Sequence, residues 1–238
     1  MDEKDYKEEI IEDSNNEVVE NKEKEVPKLS IKNQFKTSKG RVRFITRVSM
    51  FSALSFVFYA FLKFPLPFFP SFLEINFSNL FIIIGSLLTG PIGGVIIAVI
   101  RFLLKMPLSH TAYIGELTEL LLYLCIMLPA SLFYTFNHTK KGGMIGLIFS
   151  FIAWILSSVL INHFISLPFY TKFYFNGNID GIVSLLKATI PNATVDNYRM
   201  LYIFVAVIPF NLINGFINCG LAFLVYKKIS TVLKRMGI

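Results

Sequence analysis

The strongest constraint on this chain is the separation of its charges from its apolar runs. Residues 1–40 carry 11 acidic and 8 basic side chains, whereas residues 41–238 carry 5 acidic and 15 basic ones. In that second part, apolar runs recur at residues 44–62, 77–89, 92–106, 112–136, 144–167 and 201–225. Inside hydrocarbon every backbone polar group needs an internal partner, so such runs fold as helices. At ~1.5 Å per residue, about twenty residues span a bilayer core. The expectation is an all-α integral membrane protein with six transmembrane helices over residues 41–238. Runs two and three are short, and short spans flanked by Gly and Pro are typical where helices line a cavity.

Residues 1–40 read differently. Up to residue 33 the segment is polar, charge-mixed and poor in aromatics, so it buries too little apolar surface to offset its chain entropy. It is expected to be a disordered, charged cytosolic tail. Its acidic start and lack of an apolar core exclude a secretory signal.

Basic residues set the topology. Lys36, Lys39, Arg41, Arg43 and Arg47 crowd the start of the first run, Lys140 and Lys141 follow the fourth, and Lys227, Lys228, Lys234 and Arg235 follow the last. Both termini are therefore expected in the cytoplasm, with the long connections 63–76 and 168–198 outside. This placement explains the net charge of +7 without nucleic acid. Cys125 and Cys219 sit in separate apolar runs, and His110, His138 and His163 have no ligand-like spacing, so neither a disulfide framework nor a metal or cofactor site is expected.

The connection before the second run, FPLPFFPSFLEINFS (residues 64–78), is unusual. Pro65, Pro67 and Pro70 exclude a helix, yet Phe64, Phe68, Phe69 and Phe72 make the loop apolar. It reads either as a lid over a pocket or as an aromatic belt at the membrane interface. Further on, Gly90-Pro91 marks a turn. Residues 180–190 carry apolar side chains at helical spacing, which predicts a short helix lying on the membrane surface.

Polar groups inside the runs are the informative ones, because burying them in hydrocarbon is costly. They are Arg101, Glu116, Glu119, Asn162, His163, Asn211, Asn214 and Asn218. Glu116 and Glu119 share one helical face, as do Asn211 and Asn214. With Asn162 they make a polar cluster, and amides suit recognition of a polar heterocycle or a sugar-like chain. The plain alternative is interhelical hydrogen bonding, worth about 0.6 kcal/mol each. Arg101 could neutralise one glutamate, and His163 reads as a packing residue. A membrane hydrolase using Glu116 and Glu119 is a rival reading, but no HExxH, GxSxG or P-loop pattern accompanies the pair. Without a P-loop, active transport would need energy from another subunit or an ion gradient.

Several stretches in order then resemble one family. FPLPFFPSFLEINFS, GSLLTGPIGGVI, GELTELL with MLPASLFY, NHFISLPFYTKFY and IPFNLINGF are similar to the riboflavin-specific substrate-binding (S) subunits of energy-coupling-factor (ECF) vitamin transporters. The match covers about residues 44–230. The resemblance implies a non-enzymatic six-helix subunit with a pocket opening outside and riboflavin as transported ligand. It also implies an ATP-powered partner module, made of a transmembrane coupling subunit and two cytosolic ATPases. The small pair Ser49 and Ala53 matches the family's contact with the coupling subunit, and small-xxx-small spacing permits close helix approach. Asn162 and Asn211 match asparagines of the family's fifth and sixth helices. The family usually has lysine at Asn214, asparagine at Glu119 and aspartates at Asn76 and Asn79. The expected substrate-binding set is Phe68, Phe69 and Phe72 as covers for a flat ring, with Asn76, Glu116, Glu119, Asn162, Asn211 and Asn214 for its polar groups.

Overall fold

The computed structural model describes residues 37–70, 73–109, 113–137 and 139–235. The tail up to residue 36 and Phe72 thus lie outside the described residues. Helix α1 (Ser38–Phe61) starts where Thr37 caps it, its Oγ1 accepting from Gly40 N at 3.1 Å, so one orphan N–H of the first turn is satisfied. Two short antiparallel strands follow, β1 (Lys63–Pro65) and β2 (Glu74–Asn76), with Lys63 opposite Asn76 and Pro65 opposite Glu74. The prolines that exclude a helix leave the chain extended, and the ladder closes the loop between them. The Lys63 ammonium donates to Glu74 Oε2 at 2.9 Å across it. Burial alone pulls that ammonium's pKa down. The Glu74 hydrogen bond and the neighbouring charges more than offset this, so Lys63 holds its proton above the ordinary lysine range.

Helix α2 (Ser78–Lys105) is interrupted at Gly90, whose φ of 80° and ψ of 179° are not helical, with Pro91 next. The chain doubles back there. A Cβ on Gly85 would lie 2.6 Å from Ile97, and one on Gly94 would lie 2.5 Å from Ser86 Cβ. Along a straight helix Gly85 and Ile97 would stand about 18 Å apart. The two arms therefore pack against each other, and glycine is required where they touch. Expected runs two and three are these arms. Among the described residues, five helices are long and apolar enough to cross a membrane, by length and composition: Ser38–Phe61, Ser78–Leu108, Ile114–Phe136, Lys141–Tyr174 and Tyr198–Tyr226. The count differs from six because the folded-back pair is one element, divided only at Gly90.

Helix α3 (Ile114–Phe136) is preceded by Tyr113 in the left-handed region at φ 66°. Helix α4 (Lys140–Ile161), capped by Thr139, passes through a π-helical turn at Asn162–Ser166 into α5 (Leu167–Tyr174). Helix α6 (Ile179–Lys187) follows, capped by Asn178, whose Oδ1 accepts from Asp180 N at 2.9 Å. Then α7 (Tyr198–Leu201), a second π-helical stretch (Tyr202–Val207) and α8 (Ile208–Arg235) complete the chain's last long helix.

Two apolar clusters hold these elements. The larger joins α1 to α4 and α8 through Phe51, Ile83, Ile97, Met127 and Trp154. Lipid offers no hydrophobic drive between helices, so this cluster acts through close packing. The smaller gathers Leu167, Ile182, Val183, Leu186, Ile190 and Tyr202. It corrects the reading of residues 180–190 as a helix resting on the membrane. The apolar face of α6 is covered by the protein's own α5 and the π stretch after α7, not left for lipid.

Candidate functional site

A cavity of about 380 Å³ lies where α1, β2, both arms of α2, α3, α4 and α8 converge. It brings together Asn76, Glu116, Glu119, Asn162, Asn211 and Asn214, six of the nine residues expected to bind substrate. Distant segments deliver them. Asn76 ends β2, the glutamates open α3, Asn162 begins the first π turn, and Asn211 and Asn214 share one face of α8.

One side of the cavity is ionic. Lys105, 4% exposed at the end of α2, donates to Glu119 Oε2 at 2.6 Å and lies 3.9 Å from Glu116 Oε1. Tyr123 also donates to Glu119 Oε2, at 2.6 Å. Arg101 stands behind, its Nη2 3.7 Å from Glu119 Oε2, its guanidinium 4.3 Å from the Tyr123 ring centroid and 5.1 Å from that of Tyr59. Such faces stabilise a desolvated cation. Glu116 accepts from Ser109 Oγ at 2.7 Å. Both glutamates are thus bound to fixed partners. Among the described residues no group of His, Cys, Asp and Glu is arranged to hold a metal.

The other side is amide. Trp154, fully buried, donates through Nε1 to Asn211 Oδ1 at 2.8 Å. Tyr202 donates to Asn162 Oδ1 at 2.8 Å. Asn218 donates to Asn214 Oδ1 at 2.8 Å and to the Asn76 carbonyl at 3.3 Å, while its own Oδ1 accepts from Leu80 N at 3.0 Å. That last bond caps α2, whose own N-cap, Phe77, has no side-chain cap. Asn76 Oδ1 accepts from both N and Oγ of Ser78. Asn79 also lines the cavity, and its buried Oδ1 has no hydrogen-bond partner.

Of the expected aromatic covers, Phe68 and Phe69 fall elsewhere. Phe68 is 86% exposed. Phe69 packs edge-on against Phe210 at 5.6 Å, and Phe210 lines the cavity. Phe69 itself lines a second cavity of about 350 Å³ between the proline loop and α6, bounded by Pro65, Pro67, Pro70 and Leu185. His163 stacks edge-on against Phe164 at 4.7 Å and does not line the polar cavity. Ser49 and Ala53 lie on the exposed side of α1.

Sequence reasoning passed over Tyr59, Lys105, Tyr123, Trp154 and Tyr202, all of which line the cavity. Lys105 had a signal, a cation one residue before the predicted end of an apolar run. Trp154 and Tyr202 had none, since an aromatic in an apolar helix matches core and site equally.

Comparison with known proteins places this geometry. Residues 43–226 match the family described as "ECF transporter, substrate-specific component". A riboflavin transporter of Staphylococcus aureus is 30% identical over 82% of this chain and 93% of its own length. A riboflavin transporter of Bacillus subtilis is 24% identical over 79% of this chain and 93% of its own. The fold is shared with the S component of a bacterial ECF transporter at a TM-score of 0.61 and 25% identity, over 82% of this chain and 99% of that one. The family is a transport component and not an enzyme, and this multi-pass membrane chain belongs to it, as an ECF transporter substrate-specific component.

Proposed function

We propose that this chain captures riboflavin or a close flavin from outside the cell and delivers it through an ATP-driven partner module. That module consists of a transmembrane coupling subunit and two cytosolic ATPases. The observation that supports the ligand most is the cavity itself. One wall carries the amides of Asn162, Asn211 and Asn214 and the other carries Tyr59 and Tyr123. Amides suit the donors and acceptors of a pyrimidine edge, and aromatic walls suit a flat ring. The names of the relatives add to this.

A neutral ligand fits the charge balance. The cavity is lined by Lys63, Lys105, Glu74, Glu116 and Glu119, and both ammonium groups already face carboxylates. A phosphate would meet three carboxylates and no unengaged cation in this lining. Calorimetry on the purified chain, with absorbance checked for co-purified flavin, should show riboflavin bound more tightly than its 5′-phosphate. No heat with riboflavin, or tighter binding of the ester, would assign the cavity to another vitamin.

In this reading both termini face the cytoplasm, and residues 1–33 are dispensable for binding. Ser49 and Ala53 meet the coupling subunit. A Trp at either position should abolish uptake in cells while the isolated chain still binds riboflavin. Equal loss of both would give these residues a packing role within the chain.

A further inference from the structure

The three cavity asparagines share a feature that no single one reveals. Each has its side-chain oxygen occupied by a donor from the protein, and in each case the arrangement is irreversible. Trp154 Nε1 is a donor only, so Asn211 must turn Oδ1 toward it; its Nδ2 donates to the Val207 carbonyl at 2.8 Å. Asn162 Nδ2 donates to the Ser158 carbonyl at 2.8 Å, which leaves Oδ1 for Tyr202. Asn218 is fixed at both ends by backbone, since Oδ1 takes Leu80 N and Nδ2 faces the carbonyls of Asn76 and Asn214. Its two N–H bonds thus serve three acceptors, and Asn214 Oδ1, as one of them, shares an N–H with a backbone carbonyl.

What remains for a ligand is of one polarity. Asn162 and Asn211 each keep a second N–H, and Asn214 Nδ2 has no hydrogen-bond partner among the described residues. All three side chains line the cavity. The complementary group is Asn79, 3% exposed, whose buried Oδ1 has no hydrogen-bond partner among the described residues and is turned to the cavity by rotation of its amide. An unpaired buried acceptor costs about 1–3 kcal/mol, which a ligand N–H would recover.

We propose that Trp154, Tyr202 and Asn218 are positioning residues that commit Asn211, Asn162 and Asn214 to the cavity as N–H donors. The ligand is then read through its acceptor atoms, with Asn79 Oδ1 reserved for a ligand donor. The ligand class is a heterocycle with an imide-like edge, carbonyl oxygens flanking an N–H. The proposal takes its probe, riboflavin, from the flavin reading, but its first test needs no ligand.

The chain has one tryptophan, so the purified, ¹⁵N-labelled protein gives a single indole N–H resonance. Asn211→Leu should move it sharply, while Asn211→Asp, which keeps the acceptor oxygen, should leave it hydrogen-bonded. An indole signal indifferent to Asn211→Leu overturns the proposal. The second test is a riboflavin titration of Asn211→Asp and Asn79→Asp, which add the same charge. The first replaces a donor by an acceptor and should weaken binding by about tenfold or more, whereas the second keeps its acceptor and should stay within about threefold. Equal losses overturn the proposal. Third, Tyr202→Phe should weaken binding about 3- to 10-fold alone and have no further effect in an Asn162→Ala background. Additive losses would give Tyr202 a separate role and overturn it. A wild-type chain that does not bind riboflavin, but whose indole signal moves with Asn211→Leu, refutes the flavin reading and supports the amide orientation.

Discussion

The two ends of the helix bundle satisfy their polar groups in opposite ways. Around the Gly90 fold-back, hydroxyls bond to the preceding turn of their own helix. Ser86 Oγ donates to Ile83 O at 2.8 Å, Thr89 Oγ1 to Gly85 O at 2.7 Å and Ser131 Oγ to Met127 O at 2.8 Å. Around the cavity, partners come from other elements. Trp154 reaches Asn211, Tyr202 reaches Asn162, and Asn218 reaches back to Asn76 and Leu80. The first end can therefore pack closely through glycine, with Arg47 Nη1 of α1 reaching the Leu88 carbonyl at 3.3 Å as a polar link from outside α2. The second is held by connections across the fold, and there the buried Asn79 Oδ1 has no hydrogen-bond partner among the described residues. Close packing holds one end, and hydrogen bonds between distant elements hold the other.

The contrast is tested most severely at Lys105. Lys105→Met would leave Glu116 and Glu119 without their nearest cation, and breaking a buried pair costs about 3–5 kcal/mol. Thermal unfolding in detergent should show a large drop, accompanied by lost riboflavin binding. A drop under about 1 kcal/mol would mean that Arg101 takes over the pairing, and that the ionic wall is not what holds this end.

The opposite end should fail in a different way. In Gly94→Ala the new Cβ meets Met127 Sδ and Ser86 Cβ, and overpacking costs about 1–3 kcal/mol. Unfolding should occur at lower temperature while the dissociation constant of the folded fraction stays unchanged. A changed constant would show that the two ends are coupled through α2.

The smallest effect belongs to the Lys63–Glu74 pair at the cavity mouth, half open to solvent and worth under about 1 kcal/mol. Because the folded lysine holds its proton above its ordinary value of 10.5, the stabilisation is fully present only below that pH. It disappears as pH rises through the raised value. Lys63→Gln should therefore match wild type in stability at strongly alkaline pH and fall slightly below it at neutral pH. A difference that grows with pH would reverse this assignment.

How much could be read from the sequence follows the same division. The apolar runs and the turn at Gly90-Pro91 depend on residues within a few positions, and those were legible. Six cavity residues were also legible, because a polar side chain in an apolar run stands out. Their partners were not. Trp154 and Asn211 are 57 residues apart, and nothing local distinguishes a tryptophan that donates to a site from one that fills a core. The α6 helix shows the same limit. Its periodic apolar face was plain, but whether lipid or protein covers it depends on where α5 and the π stretch return.

The two π turns set the phase of the cavity. Trp154, Ser158, Asn162, Ser166 and Tyr170 line it at a constant spacing of four residues. Along an ordinary helix, steps of four drift about 40° each, so a stripe this long would wind away from the ligand. The wider turn at Asn162–Ser166 absorbs part of that drift and keeps Ser166 and Tyr170 in line with Trp154. A single-residue deletion within it would restore α-helical winding and rotate everything beyond by about 100°. The length of the binding stripe thus rests on one inserted residue, and that residue's identity matters less than its presence.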